Sequence, residues 1–184
     1  MMPNILTTIR ILSPVYFLLI IFLIEDFHYQ GLLIFFTFIF LSITDFLDGI
    51  LARKLNLSSD YGRIFDPVGD KILVSSALLY IITYHHTILY PAFLIVFREF
   101  VVSGVREFSL VTKSRSVNVS YISKIKTTLQ FLAISGLLID NNIKAYFNVE
   151  VFKLFNLLLW IATLLTLYTG FSYCYKTYRN QNKE

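Results

Sequence analysis

The chain has 184 residues, 56% of them hydrophobic and 15% charged, with a net charge of +4 and a mean hydropathy of +0.66. A soluble domain carries roughly a quarter charged residues, so the composition excludes an ordinary water-soluble protein. The basic excess comes with no groove-reading motif, which argues against a nucleic-acid partner, and a single cysteine, Cys174, excludes an internal disulfide or a Cys-rich metal site.

The apolar residues gather into six blocks, near 5–24, 32–51, 67–84, 88–111, 121–139 and 151–173, each close to the roughly 20 residues that cross a bilayer core. The expected fold is an all-α integral membrane protein, residues 1–184 forming one domain of six transmembrane helices. The first block lacks a basic leader and a small-residue cleavage site before Glu25, so it is expected to remain as an uncleaved helix. Pro14 interrupts that block. The residues ahead of it read as a short amphipathic stretch in the membrane interface, with Asn4, Thr7 and Arg10 recurring on one face. That face serves either interface solvation or substrate contact.

Basic residues alternate between connections. Apart from Lys144 and Lys153, and Arg98 inside a block, every lysine and arginine falls at the N-terminus, in the second or fourth connection, or in the tail. The positive-inside rule then places both termini and the second connection in the cytoplasm. His28, His85 and His86 map to the opposite side and read as solvated loop residues.

The second connection and its flanks hold Asp45, Asp48, Asp66 and Asp70. Carboxylates at the ends of membrane-length segments are costly and mark functional sites. Asp45 and Asp48 share a helix face with Gly49 and Ala52, with Arg53 at its edge. Asp66 and Asp70 are one turn apart on the next segment, and Pro67 fits the first turn of a helix starting just before it. Four clustered carboxylates repel unless a cation sits among them. Oxygen donors without His or Cys select hard ions such as Mg²⁺, Mn²⁺ or Ca²⁺, and two ions about 4 Å apart would suit phosphoryl chemistry.

The pattern Asp-x2-Asp-Gly-x2-Ala-Arg-x8-Gly-x3-Asp-x3-Asp, matched by Asp45, Asp48, Gly49, Ala52, Arg53, Gly62, Asp66 and Asp70, resembles the signature of the CDP-alcohol phosphotransferases. The six-block layout resembles that family as well. The resemblance implies transfer of a phosphate-linked group from a CDP-linked donor to an alcohol, with release of CMP and a requirement for Mg²⁺ or Mn²⁺. It implies that Asp45, Asp48 and Asp66 hold the metal ions with Asp70 at the second, and that Asp70 is the general base. Gly49, Ala52, Arg53 and Gly62 would line the nucleotide site, with Asn4 and Thr7 beside them.

The fourth block places Arg98 and Glu99 inside an apolar run, with Arg106 seven residues after Glu99 on the same face. With Lys124 and Lys126 at the start of the fifth, Arg98 and Arg106 can bind a phosphate on a small acceptor; the alternatives are a helix-orienting ion pair and lysines that snorkel toward headgroups. These stretches, the opening Pro3-Asn4-Ile5-Leu6-Thr7 with Arg10, and Asp66-Pro67-Val68-Gly69-Asp70-Lys71 are similar to the phosphatidylglycerophosphate synthase subfamily, although Ala is expected where Gly69 stands. That likeness implies CDP-diacylglycerol as donor, glycerol 3-phosphate as acceptor and a homodimer. The rival acceptors are phosphatidylglycerol, as in cardiolipin synthesis, and inositol phosphate. A divalent-cation transporter is the rival of another class, disfavoured because its ligands belong near the bilayer midplane.

Overall fold

The computed structural model describes residues 2–55, 60–111 and 121–181, with side chains omitted at 2–6, 45–55, 60–64, 110–111, 121, 123 and 180–181. Among the described residues there are seven α-helices and one 3-10 turn: α1 (Met2–Ile11), α2 (Ser13–Leu23), α3 (Phe27–Leu55), α4 (Asp60–Ile82), the turn His86–Ile88, α5 (Leu89–Val111), α6 (Tyr121–Phe147) and α7 (Phe152–Gln181). At least three are long and apolar enough to cross a membrane, over Phe27–Thr44, His86–Ser109 and Phe152–Arg179. The fold is therefore all-α and membrane-embedded.

The chain divides into two units. The first contains residues 1–84 and 135–152. Its core is a set of helical stripes: Ile34, Phe38 and Leu41 on α3; Leu73, Ala77 and Ile81 on α4; and Leu137 and Leu138 on α6. The opposite face of α3 is equally apolar but exposed, at Leu33, Phe36, Phe40 and Ile43. A helix apolar on every side belongs in lipid. The second unit contains residues 85–134 and 153–184. Ile88, Ala92 and Ile95 pack in it, as do Ala133 and Ile134 of α6 and Leu159 and Ala162 of α7. Thr163 and Thr169, buried on α7, donate their hydroxyls to the carbonyls of Leu159 and Leu165, which satisfies both donors within the helix.

The interruption expected at Pro14 falls at Leu12, which leaves helical geometry with ψ near 1°, and α2 restarts with Pro14 in its first turn, where the missing N–H has no intrahelical partner to lose. Two other sequence expectations change. Pro67 does not start a helix. Helix α4 begins at Asp60, with Pro67 inside it, so the connection between the two aspartate pairs is shorter than the polar run suggested. Helix α6 continues past Ile139 to Phe147. Asp140 and Asn142, which follow the expected end of the fifth block, are buried in the helix's last turns.

Tertiary contacts explain that extension. The Asn142 side-chain amide donates to the His28 carbonyl at 3.0 Å, and Tyr84 donates to the Leu137 carbonyl at 3.1 Å. The Tyr84 ring meets Phe27 and Tyr80 edge to face, and Phe27 stacks on Tyr80. Gly31 permits the approach of α3 to α6: a Cβ there would lie 3.2 Å from Asn142 Oδ1 and 3.3 Å from the Leu138 carbonyl. Asn148 then stops α6 in the left-handed region, at φ 54°, a conformation asparagine tolerates at helix ends. Asp26 caps α3 by accepting the His28 backbone N–H at 2.8 Å.

Candidate active site

In the first unit, Asp66 and Asp70 lie on consecutive turns of α4, and α1 meets both. Thr7 donates its hydroxyl to Asp66 Oδ1. Arg10 donates from Nη1 to Asp70 Oδ1 at 3.0 Å. The i,i+3 spacing of Thr7 and Arg10 on α1 matches the i,i+4 spacing of the carboxylates closely enough for both pairs to form. Between them Gly69 is buried, with the Arg10 aliphatic stem packed on it. Arg10 and Thr7 are each 1% exposed, whereas the Asp70 side chain remains 50% exposed.

This settles one alternative. The Thr7–Arg10 face of α1 is not solvated interface; it packs on the signature helix. Arg10 supplies part of the positive charge that clustered carboxylates require, and it sits in the last turn of α1, where a cation also suits the helix dipole. Its role was missed, although its recurrence with Asn4 and Thr7 is a visible signal. The side chains of Asp45, Asp48, Gly49, Ala52, Arg53, Gly62 and Asn4 lie outside the described residues.

Among the described residues, no three His, Cys, Asp or Glu side chains gather as a metal cluster. The two described carboxylates are half of the expected set. Their chemistry fits a hard divalent cation: oxygen donors only, one of them half-exposed, with neither histidine nor thiol beside them. His28 and His86 are exposed and His85 is half-buried.

The second unit holds the basic residues singled out in the sequence. Arg98 and Lys126 converge on one oxygen of Glu99: Arg98 Nη1 donates to Glu99 Oε1 at 2.7 Å and Lys126 Nζ to the same oxygen at 2.8 Å. Arg98 Nη2 reaches Thr169 of α7 at 3.2 Å. The group joins α5, α6 and α7. Arg106 and Lys124 are exposed and take no part in these contacts. Thr169 and the adjacent Gly170 had no sequence signal, because nothing local marks two α7 residues as an arginine's resting place.

The family model for CDP-alcohol phosphatidyltransferase matches residues 1–168, and the chain belongs to this family. It is similar to CDP-diacylglycerol–glycerol-3-phosphate 3-phosphatidyltransferases from several bacteria. With that of Rickettsia typhi it shares 38% identity over 94% of each chain. With that of Haemophilus influenzae it shares 37%, over 93% of this chain and 90% of the relative. With that of Bacillus subtilis the identity is 37%, over 77% of this chain and 71% of the relative.

Proposed function

We propose that this chain transfers the phosphatidyl group of CDP-diacylglycerol to glycerol 3-phosphate, giving phosphatidylglycerophosphate and CMP. Family membership carries the reaction class. The relatives that match nearly the whole chain bear this activity in their names, and that observation carries the acceptor.

In this reading Asp45, Asp48, Asp66 and Asp70 hold one or two Mg²⁺ or Mn²⁺ ions, which when bound neutralise the pyrophosphate and the departing CMP. Asp70 takes the proton from the acceptor's primary hydroxyl as that oxygen bonds to the β-phosphorus. The bond to the bridging oxygen breaks, and CMP leaves with its electron pair. The half-exposure of Asp70 supports the role, since the carboxylate is reachable, and the Arg10 contact fixes its orientation. Gly49, Ala52, Arg53, Gly62 and Asn4 line the nucleotide site, and Thr7 borders it by holding Asp66. Arg98, Arg106, Lys124 and Lys126 bind the acceptor's phosphate; the convergence of two cations on one carboxylate oxygen supports this. The six apolar blocks support six spans, and the amphipathic pattern ahead of Pro14 supports an interfacial α1. The charge alternation supports cytoplasmic termini and active site. The family resemblance supports a bacterial inner membrane and a homodimer.

The test is CMP release by the purified full-length protein from CDP-diacylglycerol, Mg²⁺ and radiolabelled glycerol 3-phosphate. Inositol phosphate and phosphatidylglycerol run in parallel. Product with glycerol 3-phosphate, lost on chelation and restored by Mg²⁺ or Mn²⁺, is the expected result. Silence with every acceptor refutes the transferase reading, and turnover with another acceptor alone reassigns the substrate.

A further inference from the structure

Two side chains assigned to the acceptor's phosphate are not independent cations. Arg98 leaves α5 and Lys126 leaves α6, yet both donate to Glu99 Oε1, within 2.8 Å of one oxygen. All three are largely withdrawn from solvent, at 11%, 10% and 21% exposure for Arg98, Lys126 and Glu99. Two like charges this close and this buried repel strongly, and long basic side chains without a counter-ion turn outward to the nearest polar phase. The Glu99 carboxylate prevents both.

Helix α7 adds a second constraint. Arg98 lies directly on Gly170: a Cβ at that position would stand 2.7 Å from Arg98 Nε and 2.9 Å from its Cγ, closer than a methyl group can come. Thr169, one residue earlier, takes Nη2. The guanidinium is thus seated by a carboxylate on one edge, a hydroxyl on another and a bare backbone beneath. A phosphate receptor must hold two donors close together, and a single carboxylate oxygen shared by Arg98 and Lys126 does so.

We propose that Glu99 is a positioning residue for the acceptor's phosphate, gathering Arg98 and Lys126 into one donor set, and that Gly170 is the seat that lets Arg98 join it. The inference rests on the reading of these cations as acceptor ligands. Neither residue touches the reacting atoms. Each acts through the cations it places, so its loss is felt in acceptor binding rather than in the chemical step.

The experiment is steady-state kinetics of the full-length protein in mixed micelles, with glycerol 3-phosphate and CDP-diacylglycerol varied separately. Glu99→Ala raises the KM for glycerol 3-phosphate about tenfold or more while the KM for CDP-diacylglycerol stays within about twofold. Glu99→Asp recovers part of the loss. Gly170→Ala, which displaces Arg98 without changing any charge, raises the acceptor KM about threefold. If Glu99→Ala fails to accumulate, Glu99→Gln and Gly170→Ala carry the same comparison. An unchanged or lowered acceptor KM, or an equal rise for both substrates, overturns the proposal. Lys126→Met separates the two levels. If it leaves the acceptor KM unchanged, the acceptor-ligand reading itself falls. If it raises that KM while the Glu99 and Gly170 variants do not, only the positioning role falls.

Discussion

Each unit buries an arginine against a carboxylate, in opposite proportions. In the first, two carboxylates on one face of α4 meet one hydroxyl and one guanidinium from α1. In the second, one carboxylate oxygen takes two cations from two helices. The exposures differ as well. Arg10 is buried while Asp70 stays half open, whereas all three members of the Glu99 group are mostly withdrawn. The same charge-assisted hydrogen bonds therefore build two arrangements. One leaves a carboxylate reachable, as the proposed base requires. The other holds two cations together, as the proposed phosphate site requires.

The largest expected effect breaks the first cluster at its open end. Asp70→Asn keeps the shape and a partner for Arg10 but cannot take a proton, and turnover measured as CMP release falls about 10²–10⁴-fold. Full turnover in that variant ends the assignment of Asp70 as base. Next comes the buried side of the same pair. Arg10→Met leaves α1 without its charged contact and lowers stability by about 1–3 kcal/mol, discounted for the half-exposure of Asp70. Thermal unfolding in detergent reads this, and Arg10→Lys shows a smaller loss. Thr7→Val removes the hydroxyl from Asp66 while keeping its volume, at a cost of about 1 kcal/mol in the same measurement. If Arg10→Met and Thr7→Val are both silent, α1 does not hold the signature helix, and the contrast between the two units loses its structural half.

The smallest effect concerns Gly69, where the subfamily pattern leads one to expect alanine. A Cβ there meets Arg10 and Ile11 atoms at 3.5–3.6 Å, ordinary van der Waals contact. Gly69→Ala is therefore accommodated, and it stabilises by up to about 1 kcal/mol through helix propensity. The opposite sign is expected at Gly170, whose missing side chain is occupied by Arg98. Two helical glycines, alike in sequence, differ because of what lies above them.

Helix existence was legible almost everywhere, since long apolar blocks admit little else in a membrane. Ends were not. Pro67 signalled a start and Asp140 to Asn142 signalled a stop, but α4 runs through the first and α6 through the second. Polar residues mark a helix end only when they are solvated. Asn142 is instead paired with the His28 carbonyl from α3, a partner more than a hundred positions away. Within the candidate site, Asp66 and Asp70 declared themselves through charge and spacing. Arg10 was visible but unassigned, and Gly170 was silent.

By itself, the sequence determined the membrane class and the family, and it marked the carboxylates to which the chemistry is assigned. Composition, block length and fixed spacing are properties of the chain read locally. Only the tertiary structure decided which charges meet: that Arg10 lies against Asp70, that Glu99 takes both Arg98 and Lys126, and that Gly170 makes room for a guanidinium. Those pairings depend on side chains carried by different helices, and the free energy of a buried charge is set by the groups packed around it rather than by its neighbours in sequence.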